Sequence, residues 1–168
     1  MPVCFFDTCA LVPRYYPGNF SYRVNRVFSG SSLIYIAEIT MVEIVSAFAA
    51  TCRDKHLPSA EFDRMHSEFL SDVADERIMV RLISRPDMFR ATHLLVLGGV
   101  VNGRALKSSD ALVAVTCRQL AFERQERLIF YTKDWKLYRT LYEINAYRAA
   151  LKLRYLGKGR DGVPPRTS

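Results

Sequence analysis

Four short runs that read as β-strands alternate along this 168-residue chain with segments whose apolar residues repeat at helical spacing. The runs are Val3–Phe6, Leu33–Ile36, Ile78–Ile83 and Leu128–Thr132. Strands alternating with helices of ordinary length imply βαβ units, and hence a parallel sheet with helices on its faces. Val3–Phe6 and Leu33–Ile36 are apolar on both faces, as central parallel strands are. Arg81, midway along the third run, predicts an edge position for that strand. Helical patterns fill Phe20–Phe28, Thr40–Arg53, Ser59–Glu76, Pro86–Leu97, Ser109–Glu123 and Asp134–Ile144. In the second of these, Met41, Ile44, Val45, Phe48 and Cys52 make one stripe at i, i+3, i+4, i+7 and i+11. Phe62, Met65, Phe69, Leu70 and Val73 mark the apolar face of the third, and Ser84 ahead of Pro86 reads as the cap of the fourth. Residues 145–156 either continue the last helix or form a fifth strand over Leu151–Leu156, and the strand is preferred.

Two segments read as irregular. Gly98–Lys107 (GGVVNGRALK) is expected to be a loop, and without a GK[ST] ending it is no phosphate-binding P-loop. Gly157–Ser168 (GKGRDGVPPRTS) is Gly/Pro-rich and basic, a composition expected to be disordered. Residues 1–156 then make one domain with its own core.

Four acids, Asp7, Glu43, Asp110 and Asp134, stand where an apolar or β-rich run gives way to a helix or turn. If the runs are parallel strands of one sheet, three of these acids lie near its carboxyl edge, and Asp110 follows the loop that leads into the most apolar helix. Open α/β sheets place their ligand crevice at that edge. Four carboxylates in one crevice repel one another, and only bound cations or raised pKa values relieve that. Oxygen-only ligands suit Mg²⁺ and Mn²⁺ equally.

Each acid also has an ordinary structural reading. Asp7 and Asp134 fit as helix N-caps. Glu43 completes a Thr40-x-x-Glu43 capping box. Asp110, behind Ser108 and Ser109, sits where the helix dipole favours an anion. Asp7 and Asp110 resist these readings most, because their surroundings are apolar and a buried unpaired charge is costly. The conjunction of all four favours a functional site.

The formal charge is +7, and it is unevenly placed: residues 1–117 carry 12 Lys+Arg against 12 Asp+Glu, and residues 118–168 carry 12 against 5. A neutral body with a basic C-terminal third suits a polyanion such as RNA, although a solvated basic surface accounts for it as well. Cys4, Cys9, Cys52 and Cys117 form no CxxC pair and His56, His66 and His93 no metal-spaced pair, which excludes a zinc finger. Cys4, Cys52 and Cys117 read as small buried hydrophobes and Cys9 as a residue lining the crevice. Free thiols without a disulfide framework, and no export signal or membrane-length apolar stretch, lead us to expect a cytoplasmic protein.

The motifs around the acids resemble one family. PVCFFDTCALVPRYY is similar to the opening of PIN-domain nucleases, in which a strand ends in Asp-Thr/Ser-x-x-Leu. IAEITMVEIVSAF resembles the second acidic motif of that family, LKSSDALVAVTCRQLA the third and LIFYTKDWKLYR the fourth, in order over residues 2–139. Within the family the chain looks most like VapC-type toxins of toxin–antitoxin pairs. The resemblance implies a PIN-like three-layer α/β/α sandwich with a central, mainly parallel sheet of four to five strands. It implies a metal-dependent endoribonuclease with Asp7, Glu43, Asp110 and Asp134 as ligands of Mg²⁺ or Mn²⁺. Thr8, Ser109 and Thr132 would orient those ligands. Water would attack the RNA phosphodiester in line, leaving a 5′-phosphate. An antitoxin protein and a homodimer are the partners it implies.

Two other readings stand beside this one, and the second is kept as its alternative. A phosphohydrolase of the haloacid-dehalogenase type needs a second Asp two residues after the first, and Cys9 stands there. A catalytically silent PIN-like module that binds RNA or protein would keep the fold, but nothing in it would offset the repulsion among four acids.

Overall fold

The computed structural model describes residues 1–18, 20–102 and 106–157. Five strands, β1 (Val3–Phe6), β2 (Leu33–Ala37), β3 (Met79–Arg81), β4 (Leu128–Thr132) and β5 (Leu151–Tyr155), form one sheet in the order β3-β2-β1-β4-β5. Every neighbouring pair is parallel. Successive side chains of a strand point to opposite faces, so β1 feeds two cores at once. Val3 and Phe5 pack with Leu128, Phe130 and Leu151 on one face, and Cys4 and Phe6 with Ile34 and Ile36 on the other. The first face is covered by α5 (Arg85–Asn102), α6 (Ser108–Arg124), α7 (Trp135–Glu143) and α8 (Asn145–Ala150). The second is covered by α1 (Thr8–Leu11), α2 (Ser21–Phe28), α3 (Glu38–Lys55) and α4 (Ser59–Ala74). The result is the expected PIN-like three-layer α/β/α sandwich, with all five strands parallel.

This strand order makes a topological switch point. The connection from β1 crosses one face towards β2, and the connection from β4 crosses the other face towards β5. Beyond the carboxyl ends of β1 and β4 the two connections part and leave a crevice. Asp7 ends β1 and Asp134 lies two residues past β4, so both acids flank it.

Several sequence expectations hold and several do not. β3 is the edge strand, but it is shorter than Ile78–Ile83. The preferred fifth strand forms as β5 over Leu151–Tyr155, and a short helix, α8, precedes it and ends at Ala150. Ser84 caps α5, and Asp87 reciprocates: the Asp87 N–H donates to Ser84 Oγ at 3.3 Å and the Ser84 N–H to Asp87 Oδ2 at 3.0 Å. Leu70 falls outside the core and is 44% exposed, while Cys52 is only half-buried.

The Thr40/Glu43 capping box is absent. β2 runs directly into α3, whose first residue is Glu38, so Thr40 is inside the helix and wholly buried. The loop expected at Gly98–Lys107 is also corrected, because α5 continues through both glycines to Asn102. A Cβ on Gly98 would stand 3.3 Å from Leu106 Cγ and 3.3 Å from Thr140 Cγ2. Close packing against α7 and the Leu106 segment thus overrides the low helix propensity of glycine, about 1 kcal/mol. The remainder of that loop, residues 103–105, and the expected tail beyond Gly157 lie outside the described residues.

Candidate functional site

The crevice at the switch point is a cavity of about 370 Å³ that Asp7, Glu43, Asp110 and Asp134 line together, with Thr8, Cys9, Lys107 and Ser109. The acids arrive from four elements. Asp7 leaves β1 in extended backbone (φ −77, ψ 154) and stands at the N-cap position of α1, but its side chain makes no cap. Its Oδ2 instead accepts the Thr132 hydroxyl at 2.7 Å and the Cys9 thiol at 2.9 Å. Thr132 is fully buried at the end of β4, and its Oγ1 accepts the Asp134 N–H at 2.9 Å. One hydroxyl therefore ties the first and fourth acids together.

Asp134 does cap α7: its Oδ1 accepts the Lys136 N–H at 2.7 Å and the Leu137 N–H at 3.0 Å. The structural reading of this acid is therefore true, and it leaves Oδ2 outside the cap. Glu43 is more than a turn into α3, where its Oε2 accepts the Thr8 hydroxyl at 2.6 Å. Asp110 lies in the first turn of α6, whose N-cap residue Lys107 makes no side-chain cap. Ser109 lines the crevice but donates to none of the four acids among the described residues.

The electrostatics follow from burial. Asp7 is 4% exposed, and burial raises its pKa. The hydrogen bonds from Cys9 and Thr132 work against that, and the charges of Glu43 and Asp134 add to it. Asp110 is pushed up to about 6, first by burial, then by Asp7 and Asp134, with Lys107 opposing and Glu43 adding. Burial, with Asp7 beside it, raises Cys9 too, so the residue stays a protonated thiol that can donate to Asp7. This donor role was not legible in the sequence, where Cys9 showed only as a residue lining the crevice. The Tyr155 hydroxyl is raised by burial and then by Asp134 and Cys9, which places it beside the same crevice.

No ion pair among the described residues engages any of the four acids. No three Asp, Glu, His or Cys groups among the described residues close on one point as metal ligands either. Three of the four acids spend one oxygen on the chain and hold the other back: Asp7 Oδ1, Glu43 Oε1 and Asp134 Oδ2 take part in none of the hydrogen bonds above. This is the donor chemistry of a hard divalent cation, all carboxylate oxygen, on side chains already oriented by hydroxyls and backbone. A larger cavity, about 540 Å³, lies at the opposite, amino edge of the sheet between α6 and α8. Its charged groups are Arg90, Arg118, Arg127 and Glu126, so it lacks the gathered acids of the crevice despite its size.

No protein-family model and no curated protein sequence matches this chain. Solved structures match its fold over nearly its whole length. VapBC2 from Rickettsia felis, bound to a DNA fragment from its promoter, is 16% identical with a TM-score of 0.57, over 90% of this chain and 98% of that one. FitAB bound to the IR36 DNA fragment is 18% identical with a TM-score of 0.59, over 89% and 94%. FitAcB from Neisseria gonorrhoeae is 17% identical with a TM-score of 0.61, over 88% and 95%. At such identities the likeness establishes the PIN-like fold alone. No helix among the described residues is long and apolar enough to cross a membrane.

Proposed function

We propose that the crevice binds Mg²⁺ or Mn²⁺ through Asp7, Glu43, Asp110 and Asp134 and hydrolyses RNA phosphodiesters, and that the chain is the toxin of a toxin–antitoxin pair. The observation that carries this reading is the gathering of four acids, one buried and one raised to about 6, with no cation among the described residues in an ion pair with them. Like charges held together in a partly dry crevice are relieved by a counter-ion from outside. The shared fold with VapBC2 and FitAB supports the toxin assignment.

A divalent cation supplies stabilisation of charge on the phosphate oxygens and a more acidic attacking water. The chain does the rest. Thr132 and Cys9 fix the Asp7 carboxylate, the α7 cap fixes Asp134, and Thr8 fixes Glu43, so the oxygens left over point from rigid elements. Asp110 is ionised at neutral pH and neutral below about 6, so cation binding weakens on acidification. An antitoxin would cover the crevice with an Arg or Lys reaching the carboxylates.

The test is RNA cleavage by the purified chain in Mg²⁺ or Mn²⁺, with EDTA and an Asp7→Asn, Asp110→Asn double variant as controls. Metal-dependent cutting that the variant loses is the expected result. The open arrangement of the acids favours one alternative, a silent RNA- or protein-binding module. A folded, metal-loaded chain that binds RNA pools without cutting them would establish that module instead.

A further inference from the structure

We propose that the aromatic row beside the crevice, led by Trp135, is a stacking platform for the unpaired bases of a single-stranded RNA whose backbone enters the crevice. This rests on the nuclease reading above and names the side chains that would hold the bases of the RNA beside the same site. Trp135, the only tryptophan of the chain, directly follows Asp134, whose cap on α7 fixes where the indole begins. Trp135, Tyr138 and Tyr142 lie at i, i+3 and i+7 on α7, so their rings share one side of the helix. Trp135 stacks on Tyr138 at 5.5 Å and 17°, and Tyr138 on Tyr142 at 6.2 Å and 16°. Tyr155, from the end of β5, meets Trp135 edge-on at 5.1 Å and Tyr138 at 5.6 Å.

Only Tyr138 is closed to solvent; Trp135, Tyr142 and Tyr155 are half-buried. An aliphatic stripe would pack α7 against β5 equally well and leave no half-open ring next to Asp134. The charge fits the same ligand. Lys133 and Lys136 flank Trp135 in the chain, and the basic excess of the protein lies wholly within residues 118–168. Lys133 already sits 5.4 Å over the Phe20 ring, on a second aromatic surface. Lysines beside half-open rings are how single strands are held: phosphates meet the cations while bases stack on π-faces. A duplex keeps its bases stacked on one another and its A-form major groove too narrow to admit side chains, so it gains nothing from such a platform.

Because Trp135 is the sole tryptophan, its emission reports stacking directly. The full chain in EDTA, where no cutting is expected, is titrated with a 12-nucleotide RNA, with the same RNA annealed to its complement, and with the DNA strand of the same sequence. We expect the single-stranded RNA to quench Trp135 and the duplex to leave it unchanged. Trp135→Leu is expected to weaken single-strand binding ~10-fold, measured by anisotropy of labelled RNA, and Trp135→Phe to recover most of it. Binding without a change in Trp135 emission, equal quenching by the duplex, or tighter binding of the DNA strand overturns the platform. The two readings fail separately. Quenching in EDTA with no cleavage once Mn²⁺ is restored leaves the platform and removes the nuclease. Cleavage with KM unchanged in Trp135→Leu does the reverse.

Discussion

Asp72 and Asp7 are almost equally buried, 5% and 4% exposed, yet their charges are treated in opposite ways. Asp72 pairs with Arg14 at 3.2 Å and with Arg77 at 3.5 Å, and accepts the Tyr15 hydroxyl at 3.0 Å. Tyr15 in turn packs edge-to-face on Phe48 and Phe69, so this acid, itself on α4, is tied through Tyr15 into the core that α3 and α4 share. Asp87, wholly buried, follows the same rule with Arg90 at 3.2 Å and the Ser84 hydroxyl at 2.6 Å. Asp7 has a hydroxyl and a thiol for partners, and burial, with Glu43 and Asp134 adding to it, raises its pKa. A chain that neutralises two buried acids with its own guanidiniums, but gathers four others with no ion pair among the described residues, has left that charge to be met from outside. Burial alone does not mark a functional acid; the missing countercharge does.

The largest test of this contrast is catalytic. Asp7→Asn and Asp110→Asn are each expected to lower metal-dependent RNA cleavage by ~10²–10³-fold, the range for removing one electrostatic stabiliser of a transition state. Asp72→Asn is expected to leave the rate per folded molecule unchanged. Equal losses in all three variants would erase the distinction between the two kinds of acid.

Stability should reverse the order. Asp72→Asn leaves Arg14, itself only 25% exposed, without its full partner, and should cost about 3 kcal/mol in urea unfolding. In EDTA at pH 7, Asp110→Asn should instead stabilise the chain. The native pKa of Asp110 is raised to about 6 from 3.8, so between those values the folded state keeps a proton that the unfolded state has lost. Wild-type stability therefore falls as pH rises through that window, and the variant escapes the fall. After allowance for solvent screening of this partly exposed group, the gain is about 1 kcal/mol at pH 7, vanishing below pH 4. Thermal unfolding of both proteins at pH 4 and pH 7 measures it, and a gain that persists at pH 4 would break the linkage to Asp110 ionisation.

Chelation should change the fold still less. Both cores form from apolar residues, so EDTA is expected to abolish cleavage with no change in the far-ultraviolet circular dichroism. Unfolding on chelation would assign the cation a structural role. The smallest effect belongs to Lys107, which lowers the Asp110 pKa from the crevice rim. Lys107→Ala should move the acid limb of the cleavage profile upward by about 0.3 in pH. A downward movement would mean that Lys107 acts on another group.

The local sequence determined what is set by neighbours along the chain. Side-chain alternation put Val3 and Phe5 on one face and Cys4 and Phe6 on the other, which made β1 a central strand. The i, i+3, i+4 stripe of α3 and the Ser84 cap were legible for the same reason, as was the siting of Asp7, Asp110 and Asp134 at element ends. What only tertiary structure decided depends on residues far apart in sequence. Gly98 and Gly99 read as loop residues, but α5 runs through both, with Gly98 packed close against Leu106 and Thr140. Thr40 read as a cap because its pattern with Glu43 is local, while the direct entry of β2 into α3 made it a buried helical residue. No spacing rule could show that Thr132 would join Asp7 to Asp134 or that the Cys9 thiol would donate to Asp7. Nor could it show that Arg14 would reach Asp72 and that no arginine among the described residues would be paired to Asp7. Which acids meet a countercharge is settled by the order in which the strands assemble, and that order brings residues 7, 43, 110 and 134 to one crevice.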